Sequence, residues 1–396
     1  MKTKILAIAL FALTLGAVIY YPSLKAKHID SPPVANFVAP VGNPKVDVVF
    51  VLDTTGSMSG LIQTAKEKIW SIASTMASAQ PTPEIRIGLV AYRDRGDHYV
   101  TKVIDLSDDL DSVYATLMDF QADGGGDTPE SVNKALYDAV HNMSWSQGTQ
   151  AYQVVFLVGD APPHMDYQDE MKYPEIVAAA KRKGIVINTI QCGDMPTTAG
   201  PWAQIASLGS GKFFQVDQAG SAVVLSTPFD AELAELSALL DDTRLYFGTE
   251  EQKERMASKV AATDKIHASS SVEVRARRAA FNISAGGKTN LLGENELVDD
   301  YLSGSIKLDE LDEDELPAAL KPMSLEEQEA YVVGLAGERA DLQRQIRELA
   351  TDRDNFLKKK VEEGGGFKDS LDQKIYEAVA EQAKEAGLEY TDGPEY

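Results

Sequence analysis

The chain has one cysteine, Cys192, in 396 residues, so no disulfide can form within it. Cys192 lies in an apolar run and is expected as a small core residue; its solitude neither requires nor forbids an oxidising compartment. Basic residues are also scarce: 38 Lys and Arg stand against 61 Asp and Glu, for a net charge of −23. Nucleic-acid binding needs clustered Lys and Arg to meet phosphates, so it is excluded as an expectation. With five histidines, none in a motif, the sequence offers no nucleophile-base pair, and it is not expected to be an enzyme. Long apolar runs are rare too. After Met1-Lys2-Thr3-Lys4 comes one uncharged stretch, Ile5 to Tyr21.

That stretch matches the lower limit of a spanning helix and also a signal peptide. Residues 1–27 are read as an uncleaved anchor with the body extracytoplasmic, periplasmic or at the cell surface; secretion after cleavage near Gly16 or Ala26 is the alternative. Residues 28–44, with Pro32, Pro33, Pro40 and Pro44, read as an extended spacer.

From residue 45 the texture changes to alternating strands and helices. Val48 to Leu52 is an apolar run that suits a strand buried on both faces, and Leu61, Ile62, Ala65, Ile69, Ile72 and Met76 follow at helical spacing. The turn between them, Asp53-Thr54-Thr55-Gly56-Ser57, therefore falls at the carboxyl edge of a parallel sheet, where open α/β folds bind ligands. Further on, Gly124-Gly125-Gly126-Asp127-Thr128-Pro129-Glu130 is a glycine-rich loop, with Thr128 expected as a helix cap and Pro129 at the first helical position. A second buried run, Tyr152 to Val158, leads into Gly159-Asp160. Together Asp53, Thr55, Ser57, Thr128 and Asp160 offer hydroxyl and carboxylate oxygens and no soft donor, which suits a hard cation such as Mg²⁺. The bland alternative is that Asp53 and Ser57 cap the first helix.

These five residues resemble, in type and order, the metal-ion-dependent adhesion site (MIDAS) of the von Willebrand factor A domain. The resemblance implies an α/β fold, a doubly wound and mainly parallel sheet, over residues 45–247. It also implies Mg²⁺ or Mn²⁺ held by the Ser57 and Thr55 hydroxyls. Thr128 would ligate directly or through water, and Asp53 and Asp160 would act mostly through water. A partner protein offering an Asp or Glu carboxylate would complete the shell. The runs Ala91-Tyr92-Arg93-Asp94, Gly124-Gly125-Gly126-Asp127 and Asp160-Ala161-Pro162-Pro163-His164 resemble the A domains attached to α-kinases, although no kinase motif follows here. Arg93, Asp94, Asp127 and His164 are expected at the rim, where solvated charges are the ordinary case. Metal-assisted hydrolysis, the enzymatic rival, would need His164 as general base.

The rest of the domain reads as strands at Glu84 to Tyr92, Thr101 to Leu106 (an edge), Ile185 to Gln191 and Lys212 to Val216. Helices are expected at Leu110 to Phe120, Ser131 to His141, Pro174 to Lys183 closed by Gly184, Pro201 to Leu208, and about Pro228 to Asp242 packing back on the sheet. Residues 248–323 form a charged region: Thr249 to Arg278 reads as one helix and Phe281 to Glu294 as a loop. The acidic run Asp309 to Glu315 lacks the frame of a calcium loop and is expected to be solvated. Residues 324–396 form an all-α region. Ser324-Leu325-Glu326-Glu327 is a capping box, and Val332, Leu335, Leu342, Ile346, Leu349 and Phe356 make a heptad-like seam interrupted by Gln328, Arg339 and Arg353. A second helix through Leu371, Ile375, Ala378, Val379 and Gln382 is expected to fold back on the first as a hairpin, with a dimeric coiled coil as the other possibility. Leu316-Pro317 and Met323 to Glu327 resemble a segment found beside A domains in bacterial exported proteins. A metal-independent envelope scaffold, assembled through these helices, is the non-enzymatic rival to adhesion.

Overall fold

Val48 and Phe50 bury their side chains on one side of the first strand while Val49 and Val51 bury theirs on the other, as the two-residue pleat requires. The computed structural model describes residues 43–126, 128–148, 151–219, 225–363 and 370–390. The strands are β1 (Lys45–Asp53), β2 (Glu84–Tyr92), β3 (Thr101–Ser107), β4 (Ala151–Gly159), β5 (Ile185–Cys192) and β6 (Ser210–Val216). They form one sheet in the order β3-β2-β1-β4-β5-β6. All neighbours are parallel except the edge pair β2 and β3. The chain leaves β1 for β2 on one side and returns to β4 on the other, so β1 and β4 flank the switch point at which such sheets open a crevice. The aspartates that follow these strands meet there.

Helices α1 (Ser59–Ala77) and α2 (Leu110–Met118) cover one face of the sheet; α3 (Val132–His141), α4 (Tyr173–Lys183) and α5 (Pro196–Leu208) cover the other. Gly184 ends α4 in the left-handed region at φ 80°, which a residue without Cβ adopts cheaply.

The carboxyl half departs from expectation in several places. The helix expected over Thr249 to Arg278 breaks at Ser270 into α7 (Glu250–Ser269) and α8 (Val272–Asn282), because Ser271 accepts from Val274 N and starts a new helix. The expected loop contains α9 (Lys288–Leu292), followed by α10 (Leu297–Ser303). Helix α6 (Asp230–Asp242) does not return to the sheet. Its apolar face, Leu233, Leu236 and Leu240, packs with Ala276 and Ala279 of α8 and with Leu342 and Ile346 of α11 (Leu325–Glu363). The Ser324 box does form: Ser324 N donates to Glu327 Oε2 at 2.8 Å and Glu327 N to Ser324 Oγ at 3.4 Å.

No hairpin between the last two helices provides their burial. Helix α12 (Leu371–Gln382) places Leu371, Ile375, Ala378 and Val379 in the main core against α1 and the sheet. Its Asp372 meets Lys68 of α1 at 3.0 Å with both side chains buried. The seam of α11 is likewise spent inside the chain, which removes the basis for a coiled coil along it. The polar residues that interrupt it are buried partners: Arg339 holds Glu296 at 2.8 and 2.9 Å, and Arg353 donates to Asp230 at 2.8 Å. Arg278 of α8 ties this helical layer to the first domain, donating to Asp111 of α2 at 2.6 and 2.7 Å and to Asp241 of α6 at 2.6 Å. The expected anchor and spacer lie outside the described residues. Among the described residues no helix is long and apolar enough to cross a membrane.

Candidate metal centre

The turn after β1 is fixed from both sides. Thr54 donates through its backbone N–H and its hydroxyl to Tyr92 O, each at 2.9 Å, and its hydroxyl meets Tyr99 Oη at 2.7 Å. Asp53 is fully buried. Its Oδ1 accepts from Thr55 N at 2.8 Å and from Thr55 Oγ1 at 2.6 Å, and Thr55 Oγ1 lies 3.3 Å from Ser57 Oγ. Asp53 Oδ2 has no hydrogen-bond partner. Neither Thr55 nor Met58 makes a side-chain cap to the following turns. Asp53, Thr55 and Ser57 face one another, and neither Asp53 nor Ser57 is at an N-cap position of the helices that follow.

The glycine loop packs onto this turn. Gly56 N donates to Gly124 O at 3.2 Å and Asp123 N to Thr54 O at 3.1 Å. Gly125 sits at φ 70°, and a Cβ there would stand 2.7 Å from Thr55 Cβ and 3.2 Å from Glu130 Oε1. Only glycine allows this approach. Thr128 is not a cap: α3 begins at Val132, after Ser131. The reason is local pairing, since Glu130 N donates to Pro162 O and His164 N to Glu130 O, which holds 130 in an extended bridge. Thr128 is exposed on the loop, and none of the contacts above involves it. Asp127 lies outside the described residues.

From the neighbouring strand, Asp160 is nearly buried and accepts from Gln218 Nε2 at 2.7 Å. Gly159 brings β4 so close to β1 that a Cβ would lie 2.8 Å from Asp53 Cβ and 2.5 Å from Tyr92 Oη. Burial, helped by the charge of Asp160, pushes the Asp53 carboxyl up to about 7. These contacts bring Asp53, Thr55, Ser57 and Asp160 together, while Thr128 is exposed on the glycine loop.

Three contributors were not apparent in the sequence. Glu130 is buried, its Oε2 lacks a partner, and burial together with the charges of Asp53, Asp94, Asp97 and Asp160 raises its carboxyl to about 9. Tyr92 turns an unpartnered hydroxyl toward the same place, and Gln218 holds Asp160. Glu130 reads in sequence as an ordinary first-turn acid, and only the bridge to Pro163 brings it inward.

The rim residues are more buried than their charge suggested. Asp94 accepts from Ser131 Oγ at 2.7 Å and from Tyr167 Oη at 2.8 Å. His164 is buried as well, with Nε2 3.2 Å from Asp94 Oδ2, Nδ1 2.8 Å from Asp166 Oδ1, and its ring stacked on Tyr167 at 3.9 Å. Arg93 donates to Thr54 O at 3.1 Å and Gln121 O at 2.8 Å. Each charge is taken up by a neighbour, which is how buried charges persist.

Among the described residues, no group of three or more His, Cys, Asp or Glu side chains is arranged to hold a metal. The donor set that fits a cation is instead mixed: two hydroxyls 3.3 Å apart, the unpartnered Asp53 oxygen, and Asp160. Oxygen-only donors with room for water suit Mg²⁺ or Mn²⁺.

Residues 47–223 match the family model of the von Willebrand factor A domain, and this stretch is a domain of that class. A putative ariadne-like RING finger protein of Acanthamoeba polyphaga mimivirus is 30% identical over 122 residues, which cover 30% of this chain and 11% of the relative. The chain therefore spans only a small part of that relative's length. Among solved structures, proximal thread matrix protein 1 from the mussel byssus is 16% identical, over 44% of this chain and 42% of that one, at a TM-score of 0.35. A structure of the same mussel protein, described as having a zinc-occupied MIDAS motif, is 17% identical with a TM-score of 0.34 over the same shares. The SpRpn10 von Willebrand factor A domain is 13% identical over 46% of this chain and all of that domain, at 0.35.

Proposed function

We propose that this chain is a protein-binding module whose von Willebrand factor A domain holds Mg²⁺ or Mn²⁺ and through it grips an Asp or Glu carboxylate of a partner. Domains of this class generally bind proteins, which supports the coarse reading. The observation that carries the finer one is Asp53 Oδ2, a fully buried carboxylate oxygen that makes no well-formed hydrogen bond, the Asp160 N–H being the one backbone donor besides Thr55 N that acts on this carboxyl. Such a group is costly unless an unrecorded partner meets it.

Thr55 and Ser57 would ligate through their hydroxyls, and Asp53 and Asp160 would receive waters of the ion. When bound, the cation supplies a positive charge with an open position for an anionic oxygen. Few charged protein ligands surround it, so much of that charge is left for the partner. Thr55 is held by Asp53, Gly125 keeps the site open, and Gln218 orients Asp160. His164 does not serve as a base in this reading, because Asp166 engages its Nδ1, its ring is stacked on Tyr167, and its buried Nε2 lies against Asp94 at 3.2 Å without a hydrogen bond.

The test is binding of a short peptide with a central Asp in millimolar Mg²⁺, repeated with chelator and with Asn in place of Asp. Binding that needs both metal and carboxylate is expected. Equal binding of the Asn peptide would overturn the reading.

A further inference from the structure

Around the candidate site acidic side chains outnumber basic ones and are the more exposed: Arg95 is 38% exposed. Asp123 is 78% exposed, Asp166 70% and Asp169 72%. Asp123 stands on the glycine loop beside the Thr55 turn; Asp166 and Asp169 stand on the loop that follows Asp160. The first loop joins the site through Asp123 N, which donates to Thr54 O, and the second leaves it at Asp160. Behind them Asp97 accepts from Gly125 N at 3.2 Å and from Asp94 N at 3.1 Å.

The cations of the same rim are already engaged. Arg93 is buried, bonded to two carbonyls, and lies 3.5 Å from Asp123. Arg95 Cζ lies over the Tyr167 ring at 4.0 Å, and its guanidinium is bonded to Asp169 at 2.9 Å and Glu170 at 2.6 Å. Lys102 sits over the Tyr99 ring at 4.3 Å, and Lys172 donates to Tyr167 O. Asp94, Asp97, Asp123, Asp166, Asp169 and Glu170 outnumber these four cations. The chain as a whole carries −23. A bare acidic segment would thus meet like charge at contact, inside the screening length of about 8 Å at physiological salt.

Resting on the carboxylate reading above, we infer that the segment recognised is an acidic residue flanked on both sides by Lys or Arg. The central carboxylate goes to the cation, and the flanking ammonium or guanidinium groups meet Asp123 on one side and Asp166 and Asp169 on the other. The unpartnered Asp53 oxygen points to the first half of this pattern and the exposed rim to the second. Complementary rim charge governs partner choice and encounter more than it governs the central contact.

The test titrates the full chain in Mg²⁺ with short peptides sharing a central Asp and differing in flanks of Lys, Ser or Glu, at low salt and at roughly 0.5 M. The Lys-flanked peptide should bind about tenfold tighter than the Ser-flanked one at low salt and lose most of that margin at high salt. The same loss is expected in the triple variant Asp123→Asn, Asp166→Asn, Asp169→Asn, whose side chains are exposed, and thermal unfolding checks that it is folded. Equal binding of Lys- and Ser-flanked peptides, or a preference unchanged in the variant, overturns the inference while leaving the carboxylate reading intact. Equal binding of a Lys-flanked peptide with central Asn also overturns it. If no Asp peptide binds in Mg²⁺, the reading of the site fails as well.

Discussion

Asp53 and Thr55 are joined twice through a single oxygen: the Thr55 N–H at 2.8 Å and its hydroxyl at 2.6 Å both donate to Asp53 Oδ1. Oδ2 is left bare in a fully buried position. In the proposed reading a cation compensates this buried oxygen, so metal should stabilise the fold. Free Mg²⁺ at one hundred times its dissociation constant should stabilise the fold by about 2.7 kcal/mol. In Asp53→Asn that thermal shift should vanish without a fall in metal-free stability; a shift of wild-type size in the variant would contradict this.

Gly125 is the point where the glycine loop touches the turn. Gly125→Ala meets both a positive φ and a Cβ 2.7 Å from Thr55 Cβ. A loss of about 1–3 kcal/mol is expected in denaturant unfolding, with weaker metal binding because Thr55 is displaced.

Arg278 neutralises Asp111 and Asp241 in a fully buried cluster. Arg278→Met leaves two carboxylates facing an apolar side chain, with Lys259 near Asp111 and Arg244 and His267 near Asp241. Removing one partner of a buried pair costs about 3–5 kcal/mol. Urea unfolding should show that loss, and a change under 1 kcal/mol would mean the cluster relaxes by admitting water.

The same cluster sets an acid limit. Arg278 holds the carboxyls of Asp111 and Asp241 below the ordinary carboxylate range, against the opposing effect of burial. A carboxyl depressed in the folded state contributes stability that is complete above its unfolded value, about 3.9, and is lost as pH falls through the folded value. Stability should therefore fall steeply below about pH 4, and less steeply in Arg278→Met, as read by unfolding midpoints across pH.

Helix α12 belongs to the main core. Ile375→Ala removes a side chain that is 1% exposed and should cost about 2–5 kcal/mol. Its unfolding should remain one transition, because Ile375 shares a cluster with Phe50 and Phe156 of the sheet. Two separate transitions would show that the helical region folds independently.

The sheet and the Asp53 turn were legible because they rest on local signals: a two-sided apolar run, helical spacing after it, and Asp-x-Thr-x-Ser between them. Asp160 followed from the same logic on β4. What was not legible depends on chain-distant pairing. Thr128 has the composition of a cap, yet the bridge from Glu130 to Pro163 delays the helix to Val132. His164 and Asp94 look like solvated loop charges until Tyr167 and Ser131 close over them. Seam periodicity told which face of α11 is buried but not by what. Arg339 and Arg353 within it were the signal, since a coiled-coil seam rarely tolerates such residues and an intramolecular ion pair does.

The most direct measurement is a calorimetric Mg²⁺ titration of the full chain beside its Asp160→Ala variant. Saturable binding to one site, lost in the variant, is the predicted result. Absence of binding at millimolar Mg²⁺ and Mn²⁺, or binding that survives the loss of Asp160, would contradict the account.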